Sequence, residues 1–181
     1  MSTLTRYQKR LVRELQEIYD RLSLDFYDIE AYPKKQRTTR LELMKRAAAR
    51  TEVISKYTLI DEYINCELCI HFFGKTKDFP ALWKTKKFQR FNYHFLEELS
   101  LLPKLRYVKA LRKIPKAVAA DIEKLNALRN GVAHAFFPEN LKKSRPIWDG
   151  KSIFSVEGLE AFGSDMLKVI QFFQRIRRGR Y

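Results

Sequence analysis

The sequence predicts an all-α protein, and two features carry that expectation. Six glycines and six prolines are all that punctuate 181 residues. Between them, apolar residues recur at intervals of three and four, the spacing of one helix face. The exception is local: Asp149-Gly150 stands between two short apolar runs, the strongest hairpin signal in the chain. With 45% apolar and 13% aromatic residues there is ample side-chain volume for a core.

A first amphipathic segment runs from about Leu4 to Tyr32, with Leu11, Leu15, Ile18 and Leu22 on one face. Pro33 and Lys34-Lys35 end it, so residues 1–37 read as an N-terminal helical arm and residues 38–181 as the main helical domain. Thr38 and Thr39 are expected to cap a long helix through Leu41, Met44, Val53, Tyr57, Ile60, Ile64 and Leu68, closed by Gly74. Residues 75–87, with five lysines around Asp78-Phe79-Pro80, read as a basic loop. Helix resumes from about Phe88 to Leu102, Pro103 opens a short helix, and Pro115 sits where a first-turn proline would start the next. Pro138 stops that one. After the hairpin around Asp149-Gly150, Ser155 caps a last helix that buries Phe162, Met166, Val169, Ile170 and Phe173 before a basic tail.

Charge narrows the partner class. A formal charge of +15, from 36 basic against 21 acidic residues, creates a surface field that favours a polyanion. Nucleic acid is the leading partner; a helical DNA-binding regulator rests on charge alone. No apolar run approaches the roughly 20 residues of a membrane span, and the N-terminus carries no signal-like apolar stretch, so a cytoplasmic protein without a membrane partner is expected. Cys66 and Cys69 form a lone CxxC with His71 nearby, and no second pair completes a four-ligand zinc site. Buried thiols on a helix are the simpler reading, and no metal or cofactor is expected. His94 reads as a packed or surface histidine, since nothing near it supplies a nucleophile or an orienting carboxylate.

The segment Leu125-Asn126-Ala127-Leu128-Arg129-Asn130-Gly131-Val132-Ala133-His134 carries the chemistry. Arginine keeps its charge at any relevant pH and offers phosphate a planar fork of donors, while histidine exchanges protons near neutrality. Projected at 100° per residue, Arg129 falls within the apolar stripe of Val118, Leu125 and Val132, a costly place for a charge unless it is paired, snorkels, or lies at an interface. Asn130 and His134 share the opposite, polar face. Arg129 and His134 stand about 140° apart on a straight helix, so either the helix distorts near Gly131 or a second copy of the motif completes a site across a two-fold axis. Taken as isolated residues, Arg129 could instead pair with Asp61 or Glu62, and His134 could merely cap the helix end.

This run resembles the signature of HEPN domains, in which an arginine, a polar residue, three variable positions and a histidine end a bundle helix. Asp61-Glu62-Tyr63-Ile64 to Phe72-Phe73-Gly74 resembles the family's early core helix, and Trp148 to Leu159 resembles the hairpin and final helix of some members; the likeness spans about Thr38 to Arg175. The resemblance implies a HEPN-like bundle of four to five helices that dimerises through its motif helices. It implies a metal-independent endoribonuclease, a toxin or defence effector acting as a homodimer. His134 would move protons at the ribose 2′-hydroxyl or the leaving 5′-oxygen, Arg129 would stabilise charge on the phosphorane, and Asn130 would orient substrate or His134. The alternative is a non-catalytic HEPN module that binds RNA or a protein partner. An antitoxin or regulatory protein is a further expected partner. Some HEPN toxins carry a tyrosine two positions after the histidine that a nucleotidyltransferase modifies. Phe136 stands there in this chain and has no hydroxyl, which argues against that class of antitoxin.

Overall fold

The computed structural model describes residues 32–74, 79–134, 146–177 and 179. The described residues form six α-helices, one π-helical turn and one two-stranded antiparallel hairpin, so the chain is mostly helical. In order these are α1 (Lys34–Phe73), α2 (Phe79–Trp83), α3 (Lys86–Phe91), the π turn Asn92–Leu96, α4 (Leu101–Leu111), α5 (Lys116–His134), β1 (Ile147–Trp148), β2 (Lys151–Ser152) and α6 (Val156–Arg177). The Leu4–Tyr32 helix of the arm, apart from Tyr32 itself, lies outside the described residues, as do Phe136 and Pro138.

The chain divides into two compact units, residues 1–47 and 48–181. In the first, the start of α1 is local chemistry. Pro33 accepts from the Gln36 amide at 2.8 Å. Arg37 donates to the Tyr32 carbonyl at 2.9 Å, and Arg40 lies 4.6 Å from the Tyr32 ring centroid. The helix begins at Lys34, not at a Thr38-Thr39 cap, because Lys34 to Arg37 are straight-chain residues that lose little rotamer freedom in a helix. Both threonines lie inside it.

In the second unit the core is continuous. α1 contributes the fully buried Ile60, Ile64 and Leu68, α4 Leu101 and Leu105, α5 Ile122 and Leu125, and α6 Phe162, Met166 and Phe173. Each such side chain contributes roughly 1.5–3 kcal/mol by leaving water. Gly74 closes α1 with φ +78°, its amide reaching the Ile70 carbonyl at 2.9 Å, as expected of a glycine past a helix end.

Two expectations between Gly74 and Leu102 are corrected. The region expected to be a basic loop contains α2 and the start of α3, because Thr85 caps α3 by accepting from the Phe88 amide at 3.2 Å. The helix expected across Phe88–Leu102 instead ends in the π turn, and α4 starts afresh at Leu101. Pro103 is the reason. A helix running through it would lose a hydrogen bond and clash with the preceding turn, whereas in the first turn of α4 its missing N–H costs nothing. His94 falls in the π turn and is exposed.

The hairpin forms where Asp149-Gly150 demands it. Both residues have positive φ, +46° and +80°, and Ile147 pairs with Ser152 and Trp148 with Lys151. Ser155 then caps α6, accepting from the Gly158 amide at 3.1 Å. Gly158 has no room for a side chain: a Cβ there would sit 1.9 Å from the Ser152 carbonyl oxygen.

Candidate functional site

α5 starts after Pro115, whose carbonyl accepts from the Ala119 amide at 3.1 Å, and stays α-helical through Gly131 to His134. Its buried stripe is Ile122, Leu125, Leu128 and Val132; Glu123, Lys124, Ala127 and Asn130 are exposed. The helix therefore does not distort at Gly131 to swing the two motif residues together. Arg129 and His134 keep an angular separation of about 140° on one regular backbone. His134 is the last residue of α5, and its side chain lies outside the described residues.

Arg129 is half-buried. Its guanidinium carbon lies 5.1 Å from the centroid of the Tyr57 ring, and Nη1 donates to the Asn130 side-chain oxygen at 3.2 Å. An arginine over an aromatic face gains cation–π attraction. Tyr57 sits between opposing influences. Burial raises its phenol pKa above the ordinary value and so does the Asp61 carboxylate, while Arg129 and the Leu101 backbone N–H at its oxygen pull the other way. That N–H belongs to the first turn of α4, where no Ser100 side chain caps the helix.

Asp61 finds its cation in Lys104, whose ammonium lies 3.0 and 2.9 Å from the two carboxylate oxygens, and Asn65 donates to the same carboxylate at 3.1 Å. Lys104 is 5% exposed. Nearly two turns of α1 further, the buried Glu67 meets Arg112 Nε at 2.8 Å. Because Lys104 reaches Asp61 and Arg112 reaches Glu67, α4 runs beside α1 in the same direction. A polar seam thus follows the packing of α1 against α4, with Arg129 of α5 beside Tyr57.

Sequence reasoning singled out Arg129 and Asn130, and the structure brings these two into contact. It passed over Tyr57, Lys104 and Glu67. The signal was available for the charged pair: Lys104 lies on the stripe of Leu101, Leu105 and Val108, and Glu67 adjoins Ile64 and Leu68, the same charge-on-a-buried-face pattern that drew attention to Arg129.

On its other flank α5 faces the hairpin across an open cleft of about 370 Å³ lined by Lys124, Leu128, Gly131 and Trp148 among others. Trp148 is buried, donates its indole N–H to Asp165 at 3.0 Å, and packs edge-on against Phe162 at 5.1 Å. The Lys168 ammonium, then the Trp148 N–H, hold the Asp165 carboxyl below the usual carboxylate range against the opposing effect of burial. Cys66 and Cys69 are free thiols. Burial pushes both up, Cys69 to about 11, so neither carries thiolate character at neutral pH. Among the described residues no group of three His, Cys, Asp or Glu side chains is placed to hold a metal ion, and no helix is long and apolar enough to cross a membrane.

No protein-family model, no curated protein and no solved structure matches this chain. The HEPN likeness accordingly stands on the motif and its flanks.

Proposed function

We propose that this chain is a HEPN-like helical domain that cuts RNA without a metal, acting as a homodimeric toxin or defence effector. The observation that carries the reading is the setting of Arg129: a guanidinium on the inward side of the last turns of α5, half-buried on an aromatic face and bonded to the exposed Asn130. Asn130 beside it would orient a phosphate on that guanidinium.

The chemistry is an internal transfer. His134 takes the proton of a ribose 2′-hydroxyl, the 2′-oxygen attacks the adjacent phosphorus, and the bond to the 5′-oxygen breaks as that oxygen gains a proton. The products are a 2′,3′-cyclic phosphate and a 5′-hydroxyl. Arg129 stabilises the charge on the equatorial phosphorane oxygens, and Asn130 orients substrate or imidazole. Because the nucleophile is the 2′-hydroxyl, DNA is left intact. The regular path of α5 favours a site assembled from Arg129 of one chain and the partner's His134 over convergence within one chain.

The test is cleavage of single-stranded RNA in EDTA. Wild type yields 2′,3′-cyclic phosphate ends, and His134→Ala loses about 10²–10⁴ of the rate. Equal rates would exclude a proton-transfer role. The second reading is a module that binds RNA or a protein partner without cutting. Wild type that binds RNA and never cuts it would establish that reading.

A further inference from the structure

Away from the motif, at the opposite end of α5, two open clefts meet. One, of about 410 Å³, lies where α4 ends and α5 begins, and it is lined by Lys109, Arg112, Lys113 and Lys116, with Glu123. The other, of about 580 Å³, lies between the C-terminal ends of α1 and α4, lined by His71, Leu111 and the same Arg112 among others. Arg112 thus joins them. Lys109 is paired with Glu123 at 2.8 Å and Arg112 with Glu67, whereas among the described residues no carboxylate pairs with Lys113 or Lys116. The junction carries a net positive charge, with Lys109 and Lys116 on the two helices and Arg112 and Lys113 in the connection between them.

Exposed aromatic faces stand next to the lining of the second cleft. Tyr107 is one turn before Leu111 on α4 and Phe72 follows His71 on α1; they are 47% and 48% exposed. Both rest on Phe95, at ring distances of 5.2 and 6.0 Å, and the His71 ring lies edge-on to Phe72 at 5.1 Å. Large aromatics held half in water by other aromatics offer flat faces without the cost of ordering them. A basic groove beside exposed aromatic faces is the combination that single strands require, since phosphates track the cations while unpaired bases stack. A duplex has its bases already stacked and uses only the charge.

We propose that this junction is a binding track for single-stranded RNA, with Lys109, Lys113 and Lys116 on the phosphates and Tyr107, about 160° from Lys109 around α4, under a base further along the strand. It rests on the reading of this protein as an RNA-directed one, and it adds a second point of contact. The length of α5 sets the distance: 19 residues rise about 27 Å, so an RNA gripped here reaches the motif end after several nucleotides.

The probe is a fluorescent 2′-O-methyl oligonucleotide of about 12 residues, which no 2′-hydroxyl attack can cleave, titrated into the full chain. A protein that fails to cut RNA can therefore still pass this test, and one that cuts can fail it. The Lys109→Glu, Lys113→Glu, Lys116→Glu variant is expected to lose at least about tenfold in affinity, with the slope of log affinity against log salt reduced by about 2. Tyr107→Ala is expected to lose about fivefold or more with that slope unchanged. Lys45, Lys151 and Lys168, which line neither cleft, changed together to glutamate, are expected to lose no more than about twofold. Should the glutamate triple fail to fold by circular dichroism, the same lysines changed to glutamine carry the comparison. Equal losses in the two triple variants, duplex RNA bound as tightly as single strand, or no binding by wild type would each overturn the proposal.

Discussion

The hairpin corner and the Arg129 seam lie on two flanks of the same helix and are built on opposite principles. At the corner, Trp148 is buried against Phe162 with its one polar atom satisfied by Asp165, and Gly158 leaves no space between α6 and Ser152. Trp148, Phe162 and Gly158 there serve packing, and the ion pairs at its rim, Lys124 with Asp149 and Lys168 with Asp165, are exposed on the lysine side. Along the seam, Lys104, Asp61, Glu67 and Arg112 put charges into helix interfaces where apolar residues of similar volume are often as stabilising or more so, and Arg129 adds a fifth. Stability accounts for the corner; the seam calls for another explanation, and around Arg129 we assign it to phosphate chemistry.

Substituting Arg129 by methionine is the sharpest way to separate the two. Methionine keeps the apolar stem over Tyr57 and removes the charge, so cleavage should fall by about 10²–10³ while the melting temperature moves by only a few degrees. A large loss of stability with activity retained would move Arg129 into the same class as Trp148. Gly158→Ala should show the converse pattern. The added methyl meets a backbone carbonyl that cannot rotate away, so denaturant unfolding should reveal a loss of about 1–3 kcal/mol or more. Activity per folded molecule should stay unchanged.

Trp148→Phe comes next. It removes the indole donor to Asp165 and part of the buried ring, and a loss of about 1–2 kcal/mol in the same assay is expected. The smallest effect concerns Asp165 itself. Its folded pKa is depressed, so the stability it contributes is present above its unfolded value near 3.9 and is lost as pH falls through the folded one. Lys168→Met removes the largest cause of that depression. Acid titration of its stability should therefore show a shallower decline below about pH 4 than wild type.

These two regions also differ in how legible they were. The corner is local in sequence: Asp149-Gly150 needs positive φ, Ser155 stands three residues before Gly158, and the stripe from Phe162 to Phe173 follows helical spacing, so hairpin, cap and helix could all be read within about 25 residues. The seam is not local. Asp61 and Lys104 are 43 positions apart, and no periodicity says which charge on a buried stripe meets which. Arg129 stood out as a charge on an apolar face, yet its neighbour Tyr57 passed as an ordinary core position because an aromatic at helical spacing looks the same whether it fills space or supports a cation. The short helix Phe79–Trp83 and the start of Lys86–Phe91 read as loop for another reason: lysine-rich composition outweighed the Thr85 cap.

The central claim is that one scissile phosphate is served by Arg129 of one chain and the partner's His134, and mixed dimers test it directly. Arg129→Ala and His134→Ala chains should each be inactive on single-stranded RNA. After they are unfolded together and refolded, half the dimers should contain one of each, with one intact site, and about a quarter of wild-type activity should return. Mixed dimers that form yet remain as inactive as either parent would contradict the account.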